Sequence, residues 1–194
     1  MTLLERWTKS INLVSAESLG DVWRRHILDS AQLLDLMPRP TAVPSTVLDL
    51  GSGAGLPGLV LAILGAGRVH LVEADQKKAT FLREAARITQ SAVVVHDARI
   101  ETLTPFPVDV VTARALAPLD RLLGYAAPFL SVQDRAAGTG RGPMALFLKG
   151  RHVEAELTQA RKKWNMALEC VASVSDPRGV VLRITDVYSR GSKA

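Results

Sequence analysis

The stretch Leu48–Gly58 reads LDLGSGAGLPG and packs four glycines and one proline into eleven residues. It follows the β-prone lead-in Ser45-Thr46-Val47. Gly51, Gly53 and Gly55 permit positive φ and close approach of a ligand to the backbone, and Gly58 lets a following helix pack tightly on a sheet. A helix starting here adds free N–H groups and a partial positive charge. Such a loop cradles a nucleotide-like ligand; a plain tight turn does not call for four spaced glycines. Gly53 to Gly58 spells G-x-G-x-x-G, the dinucleotide pattern, which alone is a weak signal. Asp49, two residues before Gly51, would repel a pyrophosphate. Glu73, 22 residues after Gly51, ends a second β-prone stretch, where a carboxylate can accept hydrogen bonds from ribose hydroxyls. Past a third such stretch, Ile100 could pack on adenine and the Ile100–Glu101 backbone could reach its edge. Arg114 closes a fourth and could hold a reacting group or orient the end of the cofactor.

An ordered set of elements must position these residues. After the proline-rich connector PRPTAVPS (Pro38 to Ser45) the chain alternates. TVLDL is a buried strand, followed by the glycine loop and a helix over Leu56 to Leu64. RVHLVEA is a strand, and Lys77 to Thr89 a helix with Phe81, Leu82, Ala85 and Ile88 inward. SAVVVHD and VDVVTARA are strands, and Leu119 to Leu130 a helix. PMALFLKG is a strand, His152 to Trp164 a helix and GVVLRIT a last strand. Strands alternating with helices predict a doubly wound, mostly parallel α/β sheet whose ligands lie at the carboxyl ends of strands. Before the connector, residues 3–14 predict a short helix. Asp21 to Leu36 predict a second, with Trp23, Ile27, Ser30 and Leu34 on one side and His26 and Leu33 beside them. Residues 1–45 therefore read as a helical cap and linker, and residues 46–194 as the main domain.

The acid followed by G-x-G-x-G resembles motif I of the S-adenosylmethionine (SAM) dependent methyltransferases. In that family the acid lies near the cationic methionine end of the cofactor, which has no phosphate to repel. The chain also ends early for the separate substrate domain of most dehydrogenases, so a methyltransferase is favoured over a dinucleotide oxidoreductase. The region after the fourth strand, VVTARALAPL, lacks the Asn/Asp-Pro-Pro-aromatic run common in exocyclic-amine methylation. Cys170, the single cysteine, lies in an apolar strand-like stretch and reads as core, not as the nucleophile that cytosine C5 methylation needs. His26, His70, His96 and His152 show no ligand spacing, so no metal site is expected. These absences suit an acceptor that needs no strong base. A guanine N7 lone pair is one, because it attacks the methyl directly with no proton to remove. A structural salt bridge of Arg114 to Asp109 or Asp120 is the bland alternative.

The chain has 194 residues, a formal net charge of +5 and a pI of about 9.7, which suits a polyanionic partner. From Arg151 to Ala194, eight Lys/Arg face five Asp/Glu. Arg161-Lys162-Lys163 reads as a solvated helix end, and Arg24 and Arg25 as phosphate contacts. The glycine-rich DRAAGTGRGP (Asp134 to Pro143) reads as a loop whose Arg135 and Arg141 could touch phosphate. There is no apolar run of membrane-spanning length and no apolar signal core, so a cytoplasmic protein is expected.

RHILDS (Arg25 to Ser30), DLGSGAGLPG, ARALAPL and LKG (Leu148 to Gly150), in this order, resemble the small-subunit ribosomal RNA guanine-N7 methyltransferase family, RsmG, also called glucose-inhibited division protein B. The likeness runs from WTKSINLVS to the last strand. It implies the class I SAM-dependent methyltransferase fold with a small N-terminal helical cap. It also implies SAM as donor and one guanine of 16S ribosomal RNA as acceptor, in free RNA or in the small subunit. By the resemblance, Gly51, Leu56, Ile100, Glu101 and Arg114 contact the cofactor. Arg114 is the candidate catalytic residue, Asp49, Gly53 and Gly55 complete the loop, and Glu73 stands where the family commonly has aspartate. Lys9, Asn12, Arg25, His26 and Lys149 match basic or polar positions around the mouth and are RNA-binding or structural candidates; for His26 the alternative is a hydrogen bond within the cap, with Asp29 as a candidate partner. The family commonly has a longer helical stretch before the W…NL element, at which this chain nearly begins. A monomer is expected. A protein or small-molecule acceptor, and a non-catalytic RNA-binding assembly factor, are the competing readings.

Overall fold

The computed structural model describes residues 2–38, 43–132 and 142–191. Its centre is a seven-stranded sheet of β1 (Thr46–Leu50), β2 (Arg68–Glu73), β3 (Val93–Asp97), β4 (Val110–Arg114), β5 (Met144–Lys149), β6 (Trp164–Ala172) and β7 (Val180–Ser189). The order is β3-β2-β1-β4-β5-β7-β6; β1 to β5 run parallel, and β7 is antiparallel to both β5 and β6. The chain winds outward from β1 to β3, then restarts beside β1 with β4. The switch point therefore lies between the carboxyl ends of β1 and β4, where doubly wound sheets bind ligands.

The central strands are largely apolar because both faces are covered, with the buried pair Asp49 and Thr112 the exception. Leu48 and Leu50 pack with Leu122, Leu123 and Phe129 of α5 (Leu119–Leu130) and Val153 and Leu157 of α6 (Val153–Ala160). Val47, Val69 and Leu71 pack on the other face with Leu59 and Leu61 of α3 (Gly58–Ile63) and Phe81, Leu82 and Ala85 of α4 (Gln76–Thr89). Each fully buried leucine contributes about 2 kcal/mol to holding these layers. The first helix, α1 (Thr2–Ile11), joins the second layer through Leu3, Leu4, Trp7 and Ile11.

Several elements differ from the sequence expectation. The helix after β5 stops at Ala160 and not at Trp164, and residues 164–172 form edge strand β6. Its burial alternates only partly, with a register irregularity between Asn165 and Ala167, so a period-two signal is absent. Cys170 lies on that edge and is exposed, not core. Arg161 caps α6 as expected, and Lys163 pairs with Asp120 at 2.9 Å. Ile88, expected inward, is 52% exposed at the end of α4.

The cap helix is not regular. A 3-10 segment (Ala16–Asp21) leads into a π turn (Trp23–Leu28), then α2 (Asp29–Ala31) and a 3-10 end (Gln32–Leu36). The inward residues along it are Val22, His26, Ser30 and Leu33. Trp23, expected inward, is 68% exposed. Two polar groups take the inner face because each has partners there: Ser30 Oγ donates to the His26 carbonyl, and His26 bonds Ser18.

Candidate functional site

The glycine loop is held from below. Asp49 is fully buried; its Oδ2 accepts from the Gly58 amide at 3.2 Å and its Oδ1 from the Thr112 hydroxyl at 2.8 Å. Gly58 must lack a side chain there, since a Cβ would lie 2.6 Å from Asp49 Cβ. Burial pushes the Asp49 carboxyl up to about 6, against the hydrogen bonds from Thr112 and Gly58. Gly51 (φ 63), Gly53 (φ 53) and Gly55 (φ 79) turn the chain through the left-handed region. Above them opens a cavity of about 430 Å3, within the range of small-ligand sites.

Gly51, Gly53, Leu56, Glu73, Ile100, Glu101 and Arg114 all line that cavity. Asp49 and Gly55 do not. Asp49 is expected beside the ligand from the sequence; strand alternation turns it toward α3, so it supports the loop from beneath. Gly55 is buried, and shapes the turn against Leu59. Glu73 ends β2 with Oε2 accepting from the Gly53 amide and Oε1 from the Asp75 amide, both at 2.9 Å. Each carboxylate oxygen keeps a second lone pair, so Glu73 can still accept two hydroxyls. This pair of acceptors, the bare loop backbone and the apolar Ile100 fit a nucleoside-bearing ligand. Lys78, Arg121 and Tyr125 also line the cavity, with the Arg121 guanidinium 5.4 Å from the Tyr125 ring centre. Sequence reasoning misses these three, although a signal exists. Lys78 is in the first turn after the Glu73 strand, and Arg121 and Tyr125 are i,i+4 on the helix after Arg114.

Arg114, at the end of β4, is fastened to the cap and to neither Asp109 nor Asp120. Its Nη1 donates to the Arg25 carbonyl at 2.9 Å and to Asp29 at 3.1 Å, and its Nη2 to His26 Nδ1 at 2.9 Å. A guanidinium only donates, so Nδ1 accepts and Nε2 carries the proton. Nε2 then donates to Ser18 Oγ at 2.8 Å, and Ser18 donates to the Ser15 carbonyl at 2.7 Å. Burial, with the Arg114 charge next, lowers the His26 pKa to about 4 and keeps it neutral. The other Asp29 oxygen accepts from Gln32 and Ser175, which ties the cap to the β6–β7 connection.

A second cavity, of about 410 Å3, opens on the far side of Arg114. It shares Arg114, Ala115 and Leu116 with the first and adds Asp29, Lys149 and Asp176. Two of the expected RNA contacts are internal ties. His26 is buried in the relay just described. Lys149 is 8% exposed, and its Nζ contacts Glu156 at 2.6 Å and the Ala117 carbonyl at 2.8 Å. Glu156 also accepts from the Leu119 amide, so this group fixes the turn after Arg114. Lys9, Asn12 and Arg25 are exposed. Asn12 ends α1 at φ 48, and Arg25 faces Glu17 at 3.3 Å. Arg24 pairs with Asp21 and donates to the Ser175 carbonyl. Arg135 and Arg141 lie outside the described residues. Among the described residues no group of three metal-ligating side chains occurs, and no helix is long and apolar enough to cross a membrane.

Comparison with known proteins gives the arrangement a family. The model of the GidB family, rRNA small subunit methyltransferase G, matches residues 1–179. The chain belongs to this family. It is 56% identical over 188 residues to the ribosomal RNA small subunit methyltransferase G of Rhodospirillum rubrum, covering 97% of this chain and 88% of that one. It is 51% identical to the protein of the same name from Paramagnetospirillum magneticum, covering 97% and 86%. The fold is shared more widely. Magnesium protoporphyrin IX methyltransferase of Synechocystis with bound SAM superposes with a TM-score of 0.64 at 13% identity, over 94% of this chain and 95% of that one. A mutant of MtNAS in complex with SAM superposes with 0.62 at 15% identity, over 95% and 72%. The architecture is that of the class I SAM-dependent methyltransferases.

Proposed function

We propose that this member of the family transfers the methyl group of SAM to N7 of one guanine in 16S ribosomal RNA, in the small subunit or its precursor. The observation that carries the reading is the junction of two cavities at Arg114. The loop-side cavity holds the cofactor. Glu73 accepts the ribose hydroxyls, Ile100 and the Glu101 backbone bound the adenine, and Gly51, Gly53 and Leu56 line the remainder. SAM, when bound, supplies a methyl group on a sulfonium, activated for direct displacement.

The acceptor base occupies the second cavity. N7 of guanine has a free lone pair, so no side chain needs to remove a proton. The chain contributes alignment and exclusion of water. Arg114 is the positioned group: three donor contacts hold its guanidinium where the cavities meet. Residues 1–45 act as a cap whose buried face fixes Arg114 and whose exposed face, with Lys9, Asn12 and Arg25, meets RNA. The net charge of +5 draws the polyanion. The protein acts as a cytoplasmic monomer.

The test uses small-subunit RNA transcribed with 7-deazaguanosine in place of guanosine. That RNA should bind and accept no methyl, while the guanosine transcript is methylated. Equal methylation of both would contradict attack by N7.

A further inference from the structure

A third cavity lies between the first helix and α4, away from the Arg114 junction. It measures about 450 Å3 and is lined by Arg6, Trp7, Ser10, Ile11, Lys77 and Thr80. Trp7 and Ile11 form an apolar floor, and Trp7 is anchored edge-on to Phe81 with ring centres 5.7 Å apart. Arg6 and Lys77 bring two cations to the rim. Among the described residues neither side chain has a hydrogen-bonded or ion-paired partner. The acids that feel them are engaged elsewhere. Glu84, near Arg6, is held by both Nε and Nη2 of Arg87 at 2.9 Å. Asp75, near Lys77, caps α4 by accepting from the Lys77 and Lys78 amides.

An apolar floor with an anchored indole, rimmed by two cations that make no direct ion pair, fits a planar ring that carries an anion. A nucleotide has that chemistry: its base stacks on aromatic and apolar side chains, and its phosphate takes Arg and Lys. The groove also lies beside the cofactor cavity. Lys78, next to Lys77, and Leu13, two residues past Ile11, both line that cavity. The linings of the groove and the cofactor cavity thus adjoin along the chain at the end of α1 and the start of α4.

We propose that the α1–α4 groove is a second RNA site. It takes one unpaired nucleotide of the substrate, base against Trp7 and Ile11 and phosphate at Arg6 and Lys77. The inference rests on the ribosomal RNA reading above and adds to it a contact outside the two cavities.

The experiment measures binding of small-subunit RNA transcript across a salt series, with methyl transfer measured in parallel. The Arg6→Gln, Lys77→Gln double variant should bind RNA about tenfold more weakly at low salt, and log K against log salt should flatten by about 0.7, one single-strand phosphate. SAM affinity should not change. Thr80→Phe fills the groove without altering charge; it should raise the KM for RNA, leave kcat at saturating RNA and keep the wild-type salt slope. Wild-type RNA affinity and slope in the double variant, with wild-type KM in Thr80→Phe, would overturn the proposal. If the wild-type protein methylates RNA and the variants match it, the groove fails alone. If the wild-type protein methylates no RNA, the functional reading fails, and the binding series still decides the groove.

Discussion

Replacing Asp29 by asparagine should loosen Arg114 without leaving it unbound. The Asp29 and Arg114 side chains are each 17% exposed and meet at 3.1 Å. An exposed pair of this kind is worth about 0–1 kcal/mol, and removing one partner of a fully buried pair costs about 3–5 kcal/mol. This pair lies between those limits. Arg114 also keeps the Arg25 carbonyl and His26, each at 2.9 Å, so a loss of about 2 kcal/mol is expected. If the whole loss falls on positioning at the junction, kcat/KM drops by about 30-fold. Urea denaturation gives the stability change, and single-turnover methyl transfer gives the kinetic one. A cycle with Arg114→Lys should show a coupling of about 1–2 kcal/mol, because lysine cannot reproduce the three-pointed contact. Asp35→Asn, on the exposed side of the same helical run, is the control and should stay within about 0.5 kcal/mol of wild type. Coupling below about 0.3 kcal/mol, with unchanged kinetics, would refute the idea that the cap sets Arg114.

The buried His26 should impose an acid limit. Its pKa falls from 6.5 to about 4 on folding, so the unfolded chain takes up the proton first, and up to about 3 kcal/mol of stability is lost as pH falls through that interval. His26→Gln should flatten this part of a pH–stability curve measured by denaturant midpoint. Asp49 titrates with the opposite sign: its folded pKa is raised to about 6, so its contribution is present below about 4 and is lost as pH rises through about 6. Asp49→Asn should remove that dependence in the same measurement. Gly58→Ala forces a Cβ against Asp49 and Leu71 and should cost about 2 kcal/mol by chemical denaturation. Glu73→Ala loses the acceptor for the Gly53 amide and the cavity hydroxyls, and should weaken SAM binding at least about tenfold by calorimetry, with RNA affinity unchanged.

The parts of the fold legible in the sequence are those set by local chemistry. The spaced glycines mark the loop because only such a run turns through φ 63, 53 and 79 in succession. Leu119–Leu130 is legible as a helix to both ends, bounded by Pro118 before it and loop residues after it. Strand β6 is not, because an edge strand with a register slip shows no clean alternation. In the cap helix, periodicity brings Ser30 inward with His26 and Leu33 beside it, as observed, but also Trp23 and Leu34, which are exposed; hydrogen bonding, not hydrophobicity, puts His26 inside. Arg114 is legible as a strand-end residue at the mouth; its partner Asp29, 85 residues earlier, is not, since tertiary pairing leaves no local pattern. Lys149 looks like a free cation for the same reason: Glu156 and the Ala117 carbonyl reach it only in the folded chain.

The most direct measurement is transfer of labelled methyl from SAM to small ribosomal subunits that lack the family's modification, with the product nucleoside identified by mass after digestion. The expected result is label in 7-methylguanosine from a single site, lost in Arg114→Ala protein that still binds SAM. Label in another nucleoside or in protein, or binding of SAM with no transfer to any form of the RNA, would contradict the account.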